Sequence, residues 1–200
     1  RASAAALATT STEAARPAST PAEAPEGATL VEMSRMKQRT GERMAESKRD
    51  IPHYYVSASI DMSAAMQFRE QINSTLEEGG TRVSVNDMVV KAAALALADH
   101  PNLNTAYVNG QLYQQASIDI NIAIAIDGGL IAPFIPNADQ KSLGAISRMA
   151  KDLGRRAREG GLTPDEYQGG TFTISNLGMF DVDEFIAVIN PPQAAILAVA

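Results

Sequence analysis

The segment Gly169–Phe180, "GGTFTISNLGMF", sets Thr171, Thr173, Ser175 and Asn176 between a double glycine and an apolar tail. A serine at a strand end can act in acyl transfer without being the nucleophile, by donating its hydroxyl to the oxyanion that develops as a carbonyl is attacked. Ser175 is the candidate for that role, and a purely structural hydroxyl at a β-edge or turn is the alternative the pattern leaves open. "TISNLG" lacks the flanking glycines of a G-x-S-x-G nucleophile elbow, which argues against a hydrolase triad. The chain has two histidines. His53 follows Pro52 at a predicted strand start and reads as a packed structural histidine, and His100, against Pro101, reads as a contact at a helix C-terminus. The absence of cysteine removes disulfides, thiolate metal sites and a thiol nucleophile. Two histidines without matching carboxylate spacing point to no metal site. Neither G-x-G-x-x-G nor G-x-x-x-x-G-K-[ST] occurs, so no nucleotide cradle is expected.

The elements that must position Ser175 follow from periodicity. "GTFTISN" and "AAILAVA" read as strands, and in "SIDINIAIAID" Ile118, Ile120, Ile122, Ile124 and Ile126 alternate with small or polar residues, predicting one strand with a core face and a small polar face. "LIAPFIP" predicts a further strand after the Gly128-Gly129 turn, with Pro133 limiting its pairing. "HYYVSASID", from His53, alternates and is rich in β-formers, so a strand is expected there too. Helices are predicted from about Leu30 to before Pro52, from Asp61 or Ser63 to a stop at Gly79, from a capping box at Ser84 and Asp87 to before Pro101, and from Ser142 to Glu159. The third is apolar nearly all round and is expected to be buried. Thr163-Pro164-Asp165-Glu166 is a second capping box with proline at the first helical position. Arg35, Arg39 and Arg43 recur at i, i+4 as a basic stripe, read as a solvated face, with phosphate or a neighbouring subunit's acidic surface as alternatives. Mixed helices and strands without a regular βαβ period indicate an α+β domain.

Seventeen basic against 23 acidic residues give a net charge of −6, which offers no general attraction for nucleic acid or an anionic membrane. No apolar run nears the roughly 20 residues that span a bilayer, and a soluble domain is expected. Residues 1–28 are almost wholly Ala, Ser, Thr, Pro and Glu, which predicts a flexible linker ahead of a folded domain over 29–200.

Taken together, "RMAESKRDIPHYYVSASID", "VSVNDMVVKAAALALADHPNLN", "INIAIAIDGGLIAPFI", "GGTFTISNLGMF" and "AVINPPQAAILAVA" resemble, in order and spacing, the catalytic core of the dihydrolipoamide acyltransferase component of 2-oxo acid dehydrogenase complexes. The resemblance spans about Leu30 to Ala200. It implies a chloramphenicol acetyltransferase-like fold, trimers that build a larger oligomeric core, and acyl exchange between coenzyme A and dihydrolipoamide at a subunit interface. The lipoyl group would sit on a domain outside this chain. Partners implied are 2-oxo acid decarboxylase and dihydrolipoyl dehydrogenase components, in the bacterial cytoplasm or the mitochondrial matrix, the cytoplasm being the preferred reading. The family's oxyanion-stabilising serine falls on Ser175. Its basic histidine belongs to an H-x-x-x-D-G motif downstream of "ILAV" that no residue here matches, and His53 matches a separate, non-catalytic P-H position. The expectation is a C-terminally incomplete piece of an active enzyme; the alternative is a catalytically silent paralogue acting as scaffold. "ISNLGMF" with "NPPQ" is similar to acetyl-transferring members, and Asp181 stands where glycine is common.

Overall fold

The helices begin where the sequence supplies caps. In the computed structural model, which describes residues 25–76 and 80–200, α1 (Arg35–Asp50) starts at Ser34, whose hydroxyl accepts the Lys37 N–H at 3.2 Å. α2 (Ser63–Ser74) starts after Met62, and the Asp61 carboxylate accepts the Ser63 N–H at 2.9 Å. α3 (Val85–Asp99) has the predicted reciprocal box between Ser84 and Asp87, and His100 is its C-cap residue. There follow β1 (Thr105–Val108), β2 (Gln111–Gln114), β3 (Ile120–Ile122), β4 (Ile124–Ile126), β5 (Gly129–Ile131) and β6 (Phe134–Ile135). α4 (Leu143–Glu159) is capped by the Ser142 hydroxyl and closed by Gly160 in the left-handed conformation. β7 (Phe172–Asn176) and β8 (Ile196–Val199) complete the series. The Thr163 capping box is present but opens only a single 3-10 turn, Pro164–Glu166.

The chain divides into Arg1–Glu32 and Met33–Ala200. Of the first unit the described part is exposed, with the Ala28 N–H donating to the Pro25 carbonyl at 3.0 Å. Most of the expected linker over 1–28 lies outside the described residues, as does Gly79.

The second unit is α+β, built on a mixed sheet of order β6-β3-β7-β8. β6 runs antiparallel to β3, whereas β7 lies parallel to both β3 and β8. The register pairs Ile120 with Phe172 and Ile122 with Ile174, so these side chains share one face. That face packs on Val90, Ala94 and Leu97 of α3 and Ile146 and Leu153 of α4, and this cluster is the core. The opposite face carries Asn121, Thr173 and Ser175.

Four expectations need correction. The predicted strand from His53 to Asp61 does not form: those residues pair with no described strand, and Tyr54 and Val56 are exposed. β-propensity describes fit to a neighbour, and the described residues supply none there. The long isoleucine strand breaks at Ala123 into β3 and β4, because β4 leaves the sheet to form a hairpin with β5 about the Asp127-Gly128 turn. "LIAPFIP" likewise divides into β5 and β6 around Pro133, which has no N–H to give a ladder. α3 buries one stripe rather than its whole circumference, and Leu95 stays 48% exposed, because the sheet, α4 and the 3-10 turn Ala138–Gln140 cover only the side that carries Val90, Ala94 and Leu97.

Candidate active site

Ser175 lies one residue from the carboxyl end of β7, with parallel strands on both sides. Its backbone pairs with Ala198 of β8, and the neighbouring Ile174 carbonyl accepts the Ala123 N–H at 3.0 Å. The strand is therefore held on both edges as far as the serine. The residue is half-buried, and no hydrogen bond joins its hydroxyl to another described residue. A rigid backbone with an uncommitted hydroxyl is what an oxyanion donor requires, since the bond must be available when charge develops.

Beneath the serine, on the same face, is a polar network closed to solvent. Asn121, Thr173 and Gln193 are 0%, 3% and 3% exposed, so bulk water does not reach their side chains. The Thr173 hydroxyl donates to Gln193 Oε1 at 2.6 Å, and Gln193 Nε2 donates to Asn121 Oδ1 at 2.8 Å and the Gly170 carbonyl at 3.1 Å. Asn121 Nδ2 in turn donates to the carbonyls of Ala132 and Gly169 at 2.7 and 3.1 Å. Both side-chain amides thus use donor and acceptor, as buried amides must if they are not to destabilise the fold. Gly170 makes the network possible: its φ is +81°, and a Cβ there would overlap Asn121 Oδ1 and lie 2.8 Å from Nδ2. The Gln193 backbone is anchored separately, bridging to Ala106 of β1, with Pro191-Pro192 in the cis form just before it.

The strand end is fixed from its other face as well. Asn176 Nδ2 donates to Asn86 Oδ1, in the first turn of α3, at 3.0 Å, and Asn176 Oδ1 accepts the Gly178 N–H at 2.9 Å. The Leu177 N–H donates to the Val199 carbonyl at 2.8 Å, after which the chain turns away, with Asp181 at φ +55°.

Neither histidine joins Ser175 as a base. The carbonyl of Ile51 can only accept, so His53 Nδ1, 2.8 Å away, carries the proton; Nε2 then accepts the Ile189 N–H at 3.1 Å. With both nitrogens engaged, His53 is the packed histidine the sequence predicts. With the Ser47 hydroxyl, which donates to the Ile189 carbonyl at 2.6 Å, it clamps that residue from both backbone sides. Arg35, Arg39 and Arg43 are exposed and make no ion pair among the described residues. A concavity of about 330 Å³ between β6, α4 and the turn at Pro164, lined by Phe134, Met149, Leu153 and Arg156, does not include Ser175. Among the described residues no group of acidic residues and histidines is arranged to hold a metal ion. Sequence reading misses the Asn121–Gln193–Thr173 network and the β1–β2 hairpin. The Asn109-Gly110 pair, both at positive φ, is the signal that would have found the hairpin.

Known proteins share both the sequence pattern and the fold. Residues 25–200 match the model of the 2-oxoacid dehydrogenases acyltransferase catalytic domain. The chain belongs to that family. Among its relatives is the dihydrolipoyllysine-residue acetyltransferase component of the pyruvate dehydrogenase complex of Zymomonas mobilis, 47% identical over 169 residues, which cover 84% of this chain and 38% of the relative. The mitochondrial counterpart from Schizosaccharomyces pombe is 46% identical over 195 residues, 94% of this chain and 40% of its own. The chain thus spans about two fifths of the relatives it matches. Among solved structures, the Azotobacter vinelandii dihydrolipoamide acetyltransferase, studied for the roles of a serine, a histidine and an asparagine in its catalytic mechanism, superposes with a TM-score of 0.83 at 30% identity, covering 90% of this chain and 77% of that one. The cubic core of a pyruvate dehydrogenase multienzyme complex gives the same values. The fold is therefore the one the sequence resemblance implies.

Proposed function

We propose that the protein exchanges an acetyl group between coenzyme A and dihydrolipoamide, as part of the oligomeric core of a 2-oxo acid dehydrogenase complex. Trimers of this chain's domain would build that core and gather the decarboxylase and dihydrolipoyl dehydrogenase components. The lipoyl group would arrive on a domain outside residues 29–200. A thiol with pKa near 8.5 is mostly protonated at neutral pH, so a base must take its proton before the sulfur attacks. The new C–S bond forms as the carbonyl π pair moves onto oxygen. Collapse of that oxyanion expels the second sulfur as a thiolate, which takes up a proton. Ser175 donates its hydroxyl to the oxyanion between those events. Neither His53 nor His100 is the base in this reading, since the first has both nitrogens bonded and the second sits at the α3 terminus. Among the described residues no helix is long and apolar enough to cross a membrane, and with bacterial and mitochondrial relatives the bacterial cytoplasm or the mitochondrial matrix is the proposed compartment.

The observation that carries the proposal is the uncommitted hydroxyl of Ser175 on a strand locked at both edges. In the full-length protein, with acetyl-CoA and dihydrolipoamide as substrates, Ser175→Ala should lower kcat by about 10²-fold while Michaelis constants change little, because the lost bond acts in the transition state. A fall of less than about threefold removes Ser175 from the mechanism.

A further inference from the structure

We propose that Gln193 and Thr173 are positioning residues for Ser175, a role that rests on the acyl-transfer reading above. Thr173 and Ser175 stand two apart on β7 and face the same way, ~6.6 Å along the strand. That spacing is too long for one hydroxyl to bond the other directly. The Gln193 amide holds Thr173 at 2.6 Å and, through its other end, Asn121 of β3 and the Gly170 carbonyl at the approach to β7. One side chain therefore pins three points: the strand that bears the serine, its parallel neighbour, and the glycine turn where that strand begins. Backbone ladder bonds fix β7 in the plane of the sheet. The Gln193 bridge ties the strand down on the face that bears Ser175.

The bonding also has a defined direction. An amide oxygen only accepts, so the Thr173 hydroxyl must donate and its rotor is fixed. Gln193 cannot flip without facing its own NH₂ toward the Thr173 hydroxyl and its oxygen toward the acceptor oxygens of Asn121 and Gly170. The arrangement has one low-energy state, and the serine inherits its position from it. Oxyanion donors are sensitive to small displacements because the bond is made only at the position the charged oxygen reaches.

A double-mutant cycle in the full-length protein separates positioning from general support of the fold. Thr173→Val keeps shape and loses the hydroxyl; the expected result is a fall in kcat of about tenfold with both Michaelis constants within about twofold. Thr173→Ser, which keeps the donor, should restore kcat to within about twofold of the parent. In a Ser175→Ala background, Thr173→Val should add less than about a twofold further loss, since there is no hydroxyl left to position. Gln193→Met, close in volume but without donor or acceptor, runs through the same cycle with the same expectation, and completes it if the valine variant does not assemble. The proposal is overturned if the losses multiply in the double variant, if Thr173→Ser is as impaired as Thr173→Val, or if Thr173→Val and Gln193→Met both keep kcat within twofold. Ser175→Ala alone reports on the acyl-transfer reading: a large loss there with multiplying effects sinks the positioning role and leaves Ser175 in place.

Discussion

Replacing Gly170 by alanine tests how much of the domain's stability depends on the polar network. The backbone there has φ +81°, a conformation that costs an alanine about 1 kcal/mol or slightly more. The added methyl would also occupy the position of the Asn121 amide, which must swing away. Three hydrogen bonds then fail: two from Nδ2, to Ala132 and Gly169, and one from Gln193 into Oδ1. The buried Asn121 amide is left with its NH₂ and its oxygen both to be satisfied elsewhere, at roughly 1–3 kcal/mol for each. Even at the low end the substitution should cost about 3 kcal/mol, a large part of the stability of an ordinary domain. Gly110→Ala is the matched control, since Gly110 has φ +79° and nothing within 4 Å of its absent Cβ. It should cost only about 1 kcal/mol, the backbone term alone. Urea unfolding followed by circular dichroism, on both variants at equal protomer concentration, gives the comparison. A difference between the two of less than about 1.5 kcal/mol would show that Asn121 has an alternative position with its bonds intact.

The ion pair between Arg156 and Glu166 should leave a signature in acid. The side-chain hydrogen bond from Arg156, with the Thr163 N–H behind it, lowers the Glu166 carboxyl from 4.5 to about 2. A carboxyl depressed in the folded state stabilises above its unfolded value and loses that contribution as pH falls toward the folded one, so Glu166→Gln should flatten the Tm–pH curve between about 4.5 and 2; an unchanged slope there refutes the assignment. His53→Phe removes the partners of the Ile51 carbonyl and the Ile189 N–H and should lower stability by about 1–2 kcal/mol with kcat within about threefold of the parent. A larger drop in turnover at unchanged stability would give His53 a chemical role.

What was legible in the sequence was local. Ser34, the Ser84–Asp87 box and Ser142 announce three helix starts because a cap satisfies N–H groups within four residues of itself. The isoleucine alternation marks a core-facing strand, although its break at Ala123 depends on β4 leaving the sheet to pair with β5 instead. The segment after His53 shows the converse failure: its pattern is that of a strand, and pattern does not supply an edge to pair with. The site divides along the same line. Ser175 and Thr173 stand out together in "TFTISN", whereas Asn121 and Gln193, which bind Thr173 into its network, come from distant parts of the chain and look unremarkable in each. A glutamine after a double proline suggests a turn, and only folding shows that its amide is buried.

The parallel pairing of β3 with β7 sets the timetable by which a new chain becomes safe. β6 follows β3 closely and can cover one of its edges early, but the other edge waits for residues that lie beyond α4; Asp119 and its partner Thr171 are 52 residues apart. At roughly 5–20 residues per second of synthesis, that edge of β3 stands open for about 3–10 s. The waiting segment is an isoleucine-rich stretch without proline or a basic residue to deter pairing between nascent chains. The hazard ends only when β7 arrives, so the strand that carries Ser175 is also the one that ends the period of exposure. Variants that slow the docking of β7 should therefore reduce the yield of soluble protein at the ribosome even when the finished molecule, once formed, is as stable as its parent.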